Sequence, residues 1–152
     1  MRNTWIKMTL LCGALDALYV TILSTLAGRN AGTTWRYVAS GPLGEHANEW
    51  GVIGVIAGVA THFFIMAVMV GVFLWAVRST RLNKVNSWVL GSLYGLGLYL
   101  VMNAIVIPLR FSTPFPPSSF IEFFLPFLPH IVLVGIPLAF ATRRGANDAL
   151  TL

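Results

Sequence analysis

Four apolar runs, each long enough to cross a bilayer, dominate this chain of 152 residues. A crossing helix needs roughly 20 predominantly apolar residues, because the hydrocarbon core is about 30 Å thick and a helix rises about 1.5 Å per residue. The runs are approximately Trp5–Ala27, Trp50–Val77, Ser87–Leu109 and Phe120–Ala141. They leave little chain for anything else. The predicted fold is an all-α membrane protein, a four-transmembrane-helix bundle forming one domain over residues 1–152. Only 10% of the residues are charged, against about 25% in a soluble domain.

The basic residues set the expected orientation. Arg2, Lys7, Arg78, Arg81, Lys84, Arg143 and Arg144 lie at the termini and in the middle loop, seven in all. The other two loops hold three, Arg29, Arg36 and Arg110, together with Glu45, Glu49 and Glu122. Cytoplasmic loops carry the excess of Lys and Arg, so both termini are expected in the cytoplasm. The net charge of +5 is then a set of membrane anchors, and no nucleic-acid partner is indicated. Cys12 is the single cysteine, which excludes an internal disulfide and a Cys-x-x-Cys motif. Asp16 interrupts the apolar core a signal peptide would need, and Leu11 before Cys12 is wrong for a lipoprotein cleavage site. The first run therefore reads as an uncleaved span.

The loop 28–49 is longer than a turn requires. Trp35, Tyr37 and Val38 beside Arg36 predict a short interfacial segment on the outer face, broken at Gly41-Pro42; a lid over a site is the functional version. Gly54 with Gly58, and Gly91 with Gly95, are small-xxx-small steps that let helices approach closely inside the bundle. The third run is expected to end at Pro108, and Pro114, Pro116 and Pro117 predict a stiff, extended turn. Pro126, Pro129 and Pro137 predict irregular backbone in the fourth span, either a packed kink or the wall of a cavity.

Ionisable groups within membrane spans usually face the bundle interior, since each costs at least ~2.5 kcal/mol at the bilayer centre. Counting helical rise, His62 lies ~18 Å below Trp50 and His130 ~15 Å below Phe120. Asp16, eleven residues beyond Trp5, comes to ~14 Å from the outer side. All three fall near the midplane. Ser92, Tyr99 and Asn103 share one stripe of the third span, and Glu122, Pro126 and His130 one of the fourth. Cys12, Asp16 and Tyr19 line one side of the first span, and Gly58, His62 and Met66 one side of the second. The expected interior is a polar cluster of Asp16, His62, Tyr99, Asn103 and His130, running outward to Arg110 and Glu122. The latter two flank the third loop and could pair, contributing about 0–1 kcal/mol if exposed. His46, beside Glu45 and Glu49, reads as a solvated residue.

Several uses of this column are open. Its members could simply hydrogen-bond one another and fix helix register. Buried Asp and His are the usual parts of membrane proton relays, and histidine titrates near neutral pH. His62 and His130 could ligate haem b from facing helices. The two histidines with Asp16 could hold a divalent metal or non-haem iron. An enzyme is not indicated, because no nucleophile has an evident base beside it and no phosphate loop is present. The reading taken forward is a proton or small-solute pathway. Haem or metal binding, and a structural or partner-binding subunit, are the alternatives. Expected partners are the lipid bilayer and a second copy or another membrane protein.

Gly58-Val59-Ala60-Thr61-His62 opens a long apolar run followed by a short basic loop. A Gly-rich span then ends in Ile107-Pro108-Leu109, and a Pro-rich turn leads to Glu122 and His130. In this order the chain, over roughly residues 50–144, resembles the YagU-like group of small uncharacterised bacterial inner-membrane proteins. The resemblance implies a multi-pass protein of the bacterial cytoplasmic membrane and singles out His62, Pro108, Glu122 and His130. It implies no particular activity.

Overall fold

The computed structural model describes residues 2–148, and they are almost entirely helical. Helix α1 is Arg2–Leu26, α2 is Ala31–Leu43 and α3 is Gly51–Ser79. Helix α4 is Ser87–Phe111, and α5 starts at Phe120 and continues through residue 148. Short 3-10 turns at Glu45–Glu49 and Arg81–Lys84 link α2 to α3 and α3 to α4. Within α1, α3, α4 and α5 lie four helices long and apolar enough to cross a membrane: Arg2–Leu26, Gly51–Arg78, Ser87–Phe111 and Phe120–Thr142. Their outward faces carry Leu10, Leu18, Ile22, Ile56, Phe64, Trp75 and Leu93, all uncovered by protein.

Local chemistry fixes the helix ends. After Leu26 the chain turns at Gly28, whose φ is +73°, while the Gly28 and Arg29 amides donate to the Thr25 and Ser24 carbonyls. These paired bonds close a helix C-terminus on a left-handed glycine. Asn30 and Asn86 cap α2 and α4, accepting from the amides of Gly32 and Trp88 at 2.8 and 2.9 Å.

The long helices pack in the order α3–α1–α5–α4. Consecutive in sequence, α3 and α4 are nonetheless separated along much of their length by an apolar groove lined by Phe64, Ile65, Met102 and Val106. The core lies toward the termini, where Met8, Cys12, Met66, Val70, Phe73, Leu98, Val134 and Leu138 are buried together. Trp5 ties α1 to α3 there, donating to the Ala67 carbonyl at 2.9 Å. Gly91 and Gly95 meet the backbone of α5 at His130, Ile131, Gly135 and Ile136. Gly54 and Gly58 serve a different neighbour. A Cβ on Gly58 would fall 1.8 Å from the Trp35 carbonyl oxygen, so the step expected between spans seats α2 instead.

The loop helix is longer and deeper than the short interfacial segment expected. Its 13 residues run past Gly41-Pro42 to Gly44, where φ is +87°. Arg110, at the end of α4, donates from Nε to the Gly41 carbonyl and from Nη2 to that of Ser40, both at 2.6 Å. A cation on the last carbonyls of a helix both satisfies them and complements the helix dipole, which holds the final turn together despite Pro42. Arg110 also lies 3.3 Å from Glu45. It is this carboxylate, and not Glu122, that pairs with Arg110; Glu122 is exposed at the start of α5.

Helices α4 and α5 each contain a widened π segment, Val101–Val106 and His130–Gly135. Helix α4 continues beyond the expected stop at Pro108 to Phe111, with Ser112 as its left-handed cap. The following loop has a cis Phe115–Pro116 bond.

Candidate functional site

Residues from both π segments line one cavity in the middle of the bundle, and there the polar side chains gather. A cavity of about 230 Å³ is lined by Asp16, His62, Asn103 and His130, with Met66, Met69 and Met102. At about 30 Å³ per molecule, this is room for several waters. Asp16, Val20, Pro126 and His130 also bound a second, larger space of about 530 Å³. This vestibule runs between α1, α5 and α2, past Tyr19, Ser24 and Thr34, to the exposed Arg29 and Thr33. The vestibule thus opens at the α2 end, while toward the termini Val70 and Phe73 are fully buried in the core.

Asp16 and His62 form its centre. His62 Nε2 lies 2.9 Å from the Gly13 carbonyl. A carbonyl only accepts, so Nε2 carries the proton. Nδ1 then faces Asp16 Oδ2 at 3.8 Å, with both side chains about 15% exposed. An imidazole lone pair and a carboxylate would repel in this geometry. One further proton, on the carboxyl or on Nδ1, would make this contact attractive. At 3.8 Å it is a charge contact, too long for a direct hydrogen bond. Trp35 and Phe63 set their rings edge-on to His62 at 5.5 and 5.4 Å and hold it in place.

His130 is fixed differently. Its Nδ1 donates to the Pro126 carbonyl at 2.6 Å, which leaves Nε2 as its uncommitted nitrogen. It lies near enough to Asp16 to interact with it electrostatically, as His62 does. In α4, Asn103 Nδ2 donates to the Tyr99 carbonyl at 3.1 Å. The two bonds are alike: each begins at a widened turn, where the backbone loses a regular partner, and each runs from a polar side chain to the carbonyl four residues back. Tyr19 does the same between helices. Pro129 has no N–H for the Leu125 carbonyl, and the Tyr19 hydroxyl donates to it at 2.8 Å. Tyr19→Phe is therefore expected to cost about 1–3 kcal/mol, visible as a lower thermal midpoint in detergent.

Tyr99 stands apart from the cavity. It is 1% exposed, and its ring packs among Phe115, Phe123 and Phe127 on the far side of His130. The route outward also departs from the expected one. It follows α1 and α2 through Tyr19, Ser24 and Thr33, while Arg110 is turned onto α2. Ser24, Thr33 and Thr34 also line the vestibule, and as isolated hydroxyl residues they carry no motif in the sequence. Tyr37 lines the vestibule as well; burial, then the nearby Glu45, raise its phenol above the usual range, against a smaller lowering by Arg110.

The donor set fits haem or a metal poorly. An axial histidine offers one nitrogen to iron and anchors the other. His130 has that arrangement, whereas His62 directs Nε2 at Gly13 and Nδ1 at Asp16. Among the described residues no three of His, Cys, Asp and Glu are grouped closely enough to hold a metal ion.

The fold and site define an all-helical protein with four helices suited to crossing a membrane and a polar interior opened from one end. Comparison with protein-family models, curated proteins and solved structures gives no significant match.

Proposed function

We propose that this chain is an integral protein of the bacterial cytoplasmic membrane, with both termini in the cytoplasm, and that its interior is a pathway for protons or a small solute. The outward Leu, Ile, Phe and Trp side chains support insertion, since a chain in water rarely leaves so much apolar surface uncovered. The bias of basic residues supports the orientation, which puts α2 and the vestibule outside. The resemblance to YagU-like proteins supports the same membrane.

One observation carries the functional reading. Asp16 is a shared wall of vestibule and cavity, and it faces the one nitrogen of His62 that can exchange a proton. A proton arriving from the outer side reaches this pair without crossing the apolar core. Passage beyond it requires the core packing at Val70 and Phe73 to open. A structural role is favoured for Tyr19, Asn103 and the Nδ1 of His130, because each answers a backbone carbonyl. It is not favoured for Asp16, which faces His62 and makes no hydrogen bond to backbone among the described residues. The test is acidification of liposomes containing the purified protein under an imposed proton gradient. Flux above protein-free liposomes, lost in Asp16→Asn, is expected. Equal flux in the two proteins, or none in the wild type, contradicts the reading.

A further inference from the structure

We propose that the vestibule floor at Asp16 binds a monovalent organic cation with an apolar body, in competition with the proton held there. This rests on the pathway reading above and names the class of solute.

The vestibule, at about 530 Å³, falls within the roughly 300–1,000 Å³ range of small-molecule sites. Its walls include Val20, Leu23, Pro126 and Pro129, with the rings of Tyr19 and Tyr37. Apolar walls with aromatic rings suit a hydrophobic cation, which rings attract by their π faces. A carboxylate at the floor decides the sign. In such surroundings it needs a proton or a cation as partner. An anionic solute would meet it unfavourably, and a neutral solute without a hydrogen-bond donor would gain nothing from it.

The groups facing Asp16 are few. His62 approaches from α3 and His130 from α5. From α4 comes the uncharged Asn103, and α2 contributes Thr33, Thr34 and Tyr37 to the vestibule. On α1 itself, Cys12 and Tyr19 are its titratable neighbours. Arg29 stands at the exposed rim, where solvent and salt screen it beyond about 8 Å. The Asp16–His62 pair can therefore give up its extra proton when a cation replaces it. The carboxylate then faces the cation, and His62 returns to the neutral Nε2–H form already fixed by Gly13.

The experiment is calorimetric titration of the full chain in detergent with methyltriphenylphosphonium, whose charge does not titrate, between pH 5.5 and 8.5. Binding is expected to tighten by up to about tenfold per pH unit and to release about one proton per cation at intermediate pH. Triphenylphosphine oxide, neutral with a similar body, should not compete. Asp16→Asn should lose binding and Asp16→Glu should keep it. Thr33→Trp, at an exposed position, should weaken it by narrowing the mouth. Should Asp16→Asn fail to fold, the pH dependence and the neutral competitor decide on the wild type alone. Binding that is independent of pH, or displaced equally by the neutral compound, or intact in Asp16→Asn, overturns the proposal. Binding in detergent needs no flux, so this result and the liposome result can fail separately.

Discussion

Replacing Gly135 by alanine is expected to destabilise the bundle by about 3 kcal/mol, at the top of the range for an overpacked core. An added Cβ would lie 2.1 Å from the Gly91 carbonyl oxygen, 3.0 Å from the Gly95 nitrogen and 3.1 Å from the Gly91 carbonyl carbon. All three are backbone atoms, so no rotamer change relieves the contact. Helices α4 and α5 would have to separate by more than an ångström, and His130 and Asn103, on those same helices, would lose their common cavity. Gly97 supplies the control. It lies on α4 too, but a Cβ there meets nothing within 4 Å. Gly97→Ala should be neutral or stabilising by up to about 1 kcal/mol through helix propensity. Thermal unfolding of the two variants in one detergent compares them. Similar midpoints for both would show that α4 and α5 do not approach as described.

The largest functional effect is expected at Asp16. Asparagine has nearly the shape of aspartate but cannot carry the exchanging proton. His62 would keep its bond to Gly13 and its ring contacts with Trp35 and Phe63, so the fold should survive. Proton entry into liposomes should nevertheless fall to the protein-free background. Asp16→Glu restores the acid and should recover part of the flux. A merely structural Asp16 would give the opposite pattern: Asn tolerated, and the longer Glu harmful.

The membrane-length helices were legible because apolar runs of this length have few other uses. Their bounds in the structure differ by only a few residues from those read in the sequence. Helical rise alone puts Asp16, His62 and His130 at one level, and in the structure the three line a single cavity. What the sequence could not show is rotation and long-range capping. Tyr99 and Asn103 are four apart and share a stripe on a regular helix. The π segment from Val101 takes more residues per turn, so they no longer superpose: Asn103 lines the cavity and Tyr99 enters the aromatic cluster. Helix α2 reads as broken at Gly41-Pro42 by local rules. The contact that sustains it comes from Arg110, 69 positions further along the chain. That same contact removes Arg110 from Glu122. The vestibule follows from where α2 settles, and nothing local in Ser24, Thr33 or Thr34 announces it.

Access decides the account most directly, because the proton and cation readings both need the interior to be reached from the α2 side and closed from the other. Val20 lines both vestibule and cavity, and the single native cysteine, Cys12, is fully buried, so the wild type serves as the blank. A small, charged, membrane-impermeant thiol reagent should be applied to Val20→Cys in right-side-out and in inside-out vesicles. Rapid modification from the outer face, with protection from the cytoplasmic face, is the predicted result. Modification from the cytoplasmic face alone, or from neither, would contradict it.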